Sequence, residues 1–188
     1  MSAGGERYVT RAGLKLEAAL REFQLSVAGL TCVDFGSHAG GFVDCLLQHG
    51  AARVYAVDPG YGVLDYRLRN DPRVVVFERT NALRFACPEL CDLVTIDAGW
   101  TRQRVILPAA ARALRPGGCV VTLVKPQYEA PPRALRRGVL APDQVEPVLR
   151  EVELEVVEEG WRVAQRRASP IAGHGGNVEW LWLLERAN

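Results

Sequence analysis

Of the 23 basic residues in this chain, only Lys15 and Lys125 are lysines; the rest are arginines. Codon bias toward arginine explains the general pattern. A lysine amine can give up its proton and act as a base, however, and an arginine in a protein cannot. The two remaining lysines therefore stand out as candidates for proton transfer, although Lys15 also reads as an ordinary solvated helix residue. Asp34, Asp58, Asp97 and Lys125 each fall at or near the end of an apolar run. In an open parallel sheet, ligands bind outside the carboxyl ends of the strands, so these four groups point to one crevice. The segment Asp34-Phe35-Gly36-Ser37-His38-Ala39-Gly40-Gly41-Phe42 is a glycine-rich strand-to-helix turn that lets a ligand approach the backbone, though it is not a GxGxxG fingerprint. Asp58 lies about one βαβ unit downstream, at a strand end where a carboxylate can accept from ribose hydroxyls, and the combination reads as a nucleoside site. Asn81 suits a base contact or a plain turn equally well. Glu179 is either an outward residue of an alternating strand or the fourth member of a Lys15, Asp97, Lys125, Glu179 constellation.

The elements that must carry these groups follow from hydrophobic periodicity. A first amphipathic helix is predicted over 11–25, with strands over 30–35, 52–58, 74–78, 92–97 and 119–125. Helices are predicted over 41–49, 64–69 and 102–114, alternating with those strands. Such alternation implies a parallel, doubly wound sheet, because parallel strands need crossovers. After a proline- and arginine-bearing loop over 126–138, a helix over 142–159 precedes two strand-like runs at 161–168 and 178–185. Their connection is too short for a helical crossover, so this last pair is expected to be antiparallel.

With 188 residues and 48% hydrophobic content, the chain has enough for one core and too little for two, so a single domain over 1–188 is expected. No apolar run reaches membrane-spanning length and the start has no secretory apolar stretch, which predicts an intracellular, cytoplasmic protein with no membrane partner. The five cysteines, Cys32, Cys45, Cys87, Cys91 and Cys119, read as reduced thiols, and scattered histidines (His38, His49, His174) leave no zinc spacing, so no metal is expected. A net charge of +1 does not by itself require a nucleic-acid partner.

The segments RAGLKL, DFGSHAGGFVDCLL, GAARVYAVDPGYG, ERTNA, VTIDAGW, LVKPQYE and SPIAGHGGNVEW resemble, in order, the TlyA (hemolysin A) family of ribosomal RNA 2′-O-methyltransferases within the wider FtsJ-like group, from about Tyr8 to the carboxyl terminus. The resemblance implies an α/β Rossmann-like methyltransferase fold: a mostly parallel doubly wound sheet with an antiparallel C-terminal strand pair. It implies S-adenosylmethionine as cofactor, bound at the turn through Asp34, Gly36, Ser37, Gly40, Gly41 and Phe42, with Asp58 and Asn81 positioned for the adenosine and Asp97 at the reacting end. The family's Lys, Asp, Lys and Glu positions fall on Lys15, Asp97, Lys125 and Glu179. Two departures stand out. The small RNA-binding domain with which TlyA proteins usually begin is expected to be absent, and Asp97-Ala98-Gly99-Trp100 replaces the family's Asp-Val-Ser-Phe. His38 and Ala39 also replace small hydroxyl residues of the usual glycine turn.

The resulting expectation is methylation of a ribose 2′-hydroxyl in RNA, with ribosomal RNA or a ribosomal subunit as partner. Lys125 is the candidate base, and Asp97, Lys15 and Glu179 orient it. Trp100 and Tyr128 are candidates for stacking on a base, and Arg133, Arg136 and Arg137 for holding phosphates. A small-molecule O-methyltransferase and a non-catalytic RNA or ribosome assembly factor retaining the fold are the alternatives.

Overall fold

Runs rich in β-branched and aromatic residues form the strands, and the helically repeating stretches between them cross over the faces. The structure, a computed structural model, describes residues 7–187, with no account of the His174 side chain. Of the domain expected over 1–188, residues 1–6 and 188 lie outside the described residues. In chain order the elements are α1 (Ala12–Glu22), β1 (Thr31–Phe35), α2 (Gly41–Gln48), β2 (Arg53–Val57), α3 (Tyr66–Arg69), β3 (Val74–Phe77), β4 (Cys91–Ile96), α4 (Gln103–Ala113) and β5 (Leu114–Val124). They continue with α5 (Pro126–Glu129), β6 (Leu135–Arg136), β7 (Val139–Leu140), α6 (Pro142–Glu158), β8 (Trp161–Ala168) and β9 (Trp180–Arg186).

Seven strands form one sheet in the order β3-β2-β1-β4-β5-β9-β8. The pairs among β1 to β5 are parallel, whereas β9 runs antiparallel to both β5 and β8. This is the mostly parallel, doubly wound Rossmann-like sheet with an antiparallel C-terminal strand pair that the sequence leads one to expect. From β1 the chain first builds outward to β2 and β3, then returns to place β4 on the other side of β1. The switch between β1 and β4 opens a crevice at their carboxyl ends. Strand alternation divides the core between the two faces: Val33, Phe35 and Ile96 pack with α4 and α6 residues, while Cys32, Val54 and Leu93 pack with those of α1 and α2.

Two segments differ from the sequence expectation. The Arg115–Gly118 stretch, left between the helix expected over 102–114 and the strand expected over 119–125, lies inside a long β5, and the register against β4 shifts between Cys91 and Leu93 to absorb it. The stretch expected as a loop over 126–138 contains α5 and the start of a small hairpin, β6 with β7, whose turn residues Arg137 and Gly138 both have positive φ (52° and 80°). A two-residue turn of that hand matches the twist of the flanking strands, and glycine supplies one of its positions without strain. Among the described residues, no helix is long and apolar enough to cross a membrane.

Candidate functional site

A cleft of about 560 Å³ opens at the carboxyl ends of β1, β2, β4 and β5. Asp34, Gly36, Ser37, Gly41, Phe42, Asp58, Asn81, Asp97 and Lys125 line it, together with His38 and Ala39. Thr10 and Ala12, at the start of α1, form another part of the wall. Gly36 has φ +85°, and a Cβ there would lie 2.7 Å from the carbonyl oxygen of Asp97, so glycine lets the β1 and β4 turns press together. Gly40 has a different reason to be glycine: it does not line the cleft, its φ is +102°, and a Cβ would collide with Leu64 and Leu68. Gly40→Val is therefore expected to act on folding, costing about 2–5 kcal/mol of stability from left-handed strain and overpacking. Urea unfolding of the variant checks this, and an unchanged midpoint would refute it.

Asp34 is the most constrained carboxylate of the cleft. It is 1% exposed. Its Oδ1 accepts from Thr95 Oγ1 at 2.6 Å, and its buried Oδ2 has no hydrogen-bond partner. Burial pushes the Asp34 carboxyl up to about 7; the Thr95 hydrogen bond opposes that rise, while the charges of Asp97 and Asp58 add to it. A buried carboxylate with one free oxygen suits a cationic ligand group. Asp58 accepts backbone N–H bonds from His38 at 2.8 Å and Gly60 at 2.7 Å, which fix its carboxylate at the rim. Asn81 caps the 3-10 turn Ala82–Arg84 by accepting from Leu83 N at 2.9 Å, leaving its amide group free to donate toward the cleft it lines.

The four-residue constellation resolves into two ion pairs. Lys125 Nζ lies 2.5 Å from Asp97 Oδ1, directly on the cleft. Lys15 Nζ lies 2.5 Å from Glu179 Oε2, with side chains only 8% and 5% exposed. This second pair joins α1 to the segment entering β9 and does not line the cleft. Removing either partner would strand a buried charge, at a cost of about 3–5 kcal/mol. The solvated-helix reading of Lys15 is thus corrected by its burial.

Beside Lys125, Trp100 and Tyr128 stack with ring centroids 4.6 Å apart and planes at 28°. Lys125 Nζ sits 5.8 Å from the Tyr128 ring centre. Trp100 is 84% exposed and has φ +60°, a left-handed conformation costing a non-glycine residue roughly 1–2 kcal/mol. Arg133, Arg136 and Arg137 are exposed on and before the β6–β7 hairpin.

The FtsJ-like methyltransferase family matches residues 8–186. The chain belongs to that family. A 16S/23S rRNA (cytidine-2′-O)-methyltransferase, TlyA of Mycobacterium tuberculosis, is 43% identical to this chain over 188 residues, covering 94% of this chain and 68% of its own. YqxC of Bacillus subtilis, named as a candidate rRNA methyltransferase, is 43% identical over 93% of this chain, which spans 64% of YqxC's length. The solved structure of a candidate hemolysin from Streptococcus thermophilus superposes with a TM-score of 0.94 at 40% identity, covering 100% of this chain and 70% of that one.

Three polar partners inside this FtsJ-like family member were not singled out from sequence. Thr95 braces Asp34, and Thr122 Oγ1 donates to Gln103 Oε1 at 2.9 Å. The signal was available: each threonine interrupts an otherwise apolar buried strand (DLVTID, CVVTLVK), where a hydroxyl needs a partner. The third, Glu129, accepts from the backbone N–H of Gln103 at 2.9 Å. No periodicity marks it, because the bond joins two elements far apart in sequence.

Proposed function

We propose that this chain transfers a methyl group from S-adenosylmethionine to a ribose 2′-hydroxyl of ribosomal RNA. The observation that carries the reading is the direct Lys125–Asp97 pair on the cleft, next to an exposed aromatic stack. The cofactor fits the residues present. The unpartnered Oδ2 of Asp34 suits the ammonium of its amino-acid end, the Gly36 to Phe42 turn gives the backbone close access, and Asp58 and Asn81 offer an acceptor and a donor to ribose and base. When bound, S-adenosylmethionine supplies an activated methyl group.

The protein's part is orientation and proton removal. Lys125, once it has released its own proton to solvent, accepts the proton of the 2′-hydroxyl as a neutral amine, and Asp97 holds that amine in place for the oxygen. The Lys15–Glu179 pair fixes α1, whose N-terminal end walls the cleft, against the start of β9. Trp100 and Tyr128 offer a π-face to the target base, a role that explains why a strained tryptophan stays in solvent.

Charge distribution favours RNA over a small acceptor. Many arginines are neutralised locally, as in Arg53–Glu89, Arg73–Asp71, Arg115–Asp92 and Arg162–Glu185. Others make no ion pair among the described residues, and three of these, Arg133, Arg136 and Arg137, cluster on and before one hairpin, while Arg11 lies between cleft residues Thr10 and Ala12. Changing Arg133, Arg136 and Arg137 together to alanine is expected to lower RNA affinity and to reduce the slope of log K against log salt by about 2, because fewer counterions are released. Filter binding across a salt series measures it; an unchanged slope would mean that the hairpin does not touch phosphate.

The function itself is tested with labelled S-adenosylmethionine against in vitro transcribed 16S and 23S ribosomal RNA and a pool of small metabolites. Label in alkali-resistant dinucleotides from the RNA supports 2′-O-methylation. Label confined to small molecules, or none at all, refutes it.

A further inference from the structure

The loop from Ala98 to Arg102 holds Trp100 in a left-handed conformation with its ring 84% exposed, so burial in the protein is not what keeps it there. Both ends of the loop are pinned instead. At its start Asp97 is tied to Lys125. At its end the backbone N–H of Gln103 is held by Glu129 Oε1, and the side chain of Gln103 by Thr122. Helix α4 has no side-chain cap of its own at Arg102 and no acidic residue in its first turn, so Glu129 arrives from α5 as the anion at its N-terminus.

The placement is specific. Glu129 adjoins Tyr128 in α5, and Gln103 lies three residues beyond Trp100; this one hydrogen bond therefore ties together the two segments whose aromatic rings stack. A carboxylate is an expensive choice for that bond, since its Oε2 is buried with no partner. An amide would make the same contact without a charge to desolvate, but a charged acceptor holds a helix N-terminus more strongly. Burial pushes the Glu129 carboxyl up to about 7, against the pull of the Gln103 N–H.

We propose that Glu129 is a positioning residue: by clamping the N-terminus of α4 to α5 it holds the Trp100–Tyr128 pair in register beside Lys125 and so sets how tightly the base of the acceptor nucleotide is gripped. The proposal rests on the RNA reading for its substrate and on geometry alone for its clamp, and the two are tested separately.

Limited trypsin digestion with mass spectrometry reads the clamp, because the Arg102–Gln103 bond is a trypsin site and its N–H is the one Glu129 holds. Glu129→Ala is expected to speed cleavage after Arg102 about tenfold relative to cleavage after Arg21 in α1, as losing a charged hydrogen bond implies. Glu129→Gln, whose carbonyl can still accept, should stay within about threefold of the parent. With in vitro transcribed ribosomal RNA, Glu129→Ala should raise KM about tenfold and change kcat less than about threefold. In a Trp100→Ala background it should add nothing, since the two act as a unit. Unchanged cleavage after Arg102 overturns the clamp. Faster cleavage with unchanged KM, or a KM effect additive with Trp100→Ala, overturns its link to substrate grip. Should the alanine variant not fold, a change in KM with Glu129→Gln that is not matched by faster cleavage after Arg102 is equally fatal. If no variant, nor the parent, methylates RNA, the RNA reading falls while the trypsin result still decides the clamp.

Discussion

Replacing Lys125 with arginine is expected to slow methyl transfer about a thousandfold in single-turnover assays, within the usual range for losing a general base. Arginine preserves the positive charge and can still face Asp97, but it cannot give up a proton, so the substitution separates charge from proton transfer. The wild-type amine lies 2.5 Å from Asp97 Oδ1, on the cleft itself, where a ribose oxygen has access to it. Isothermal titration with S-adenosylmethionine provides the control, because a variant that still binds cofactor yet does not turn over has lost chemistry and not the pocket. A Lys125→Arg protein retaining a tenth or more of the wild-type rate would remove Lys125 as the base and leave electrostatics as its role.

The second large effect falls on Asp34. Asp34→Asn should weaken S-adenosylmethionine binding by about 100-fold, the scale of removing one partner from a buried charge pair. The asparagine keeps an acceptor for Thr95. Burial, the main cause, lifts the Asp34 carboxyl from 3.8 to about 7 in the free protein. The proposed contact with the cofactor's ammonium uses the ionised form, so wild-type affinity should rise about tenfold between pH 6 and pH 8 and level off above that, while the asparagine variant lacks this rise. Stability runs the other way. Between about pH 4 and pH 7 the folded chain holds a proton that the unfolded chain has released, so wild-type stability falls as pH rises through that window and the cost is complete above it. Asp34→Asn should thus be at least as stable as wild type at pH 8 while binding cofactor poorly. Titration calorimetry and urea melts at both pH values test the pair of claims, and a variant that binds normally would exclude Asp34 from the cofactor site.

The sheet was legible in the sequence because buried parallel strands write themselves as short apolar runs, and the short connection before the last strand forced the antiparallel end that β8 and β9 form. Strand ends carrying Asp58, Asp97 and Lys125 were legible for the same reason: a charge terminates each run, and all three residues line the cleft. Pairing was not. Nothing in the spacing of Lys15 and Glu179, 164 positions apart, announces a buried bond; the sequence reading grouped them in one constellation without pairing them. The purpose of Gly40 was obscured by a different ambiguity, because a glycine next to a ligand and a glycine beneath two leucines look alike in sequence. The α5 and hairpin region read as loop because its pieces are four residues or fewer, too short for either period to register.

The bond between Lys15 and Glu179 also ties the beginning of the molecule to its end in time. Synthesis proceeds from the amino terminus, so Lys15 emerges early and waits for nearly the whole chain before its counter-ion exists. Until then α1 can pack on α2, with Val9 N donating to Asp44, but it carries an unmatched charge on a surface meant for the interior. A prematurely terminated chain could therefore assemble strands β1 to β5 with every cleft-lining residue present and still leave Lys15 without its counter-ion, which makes this contact a check of completeness as well as a piece of architecture.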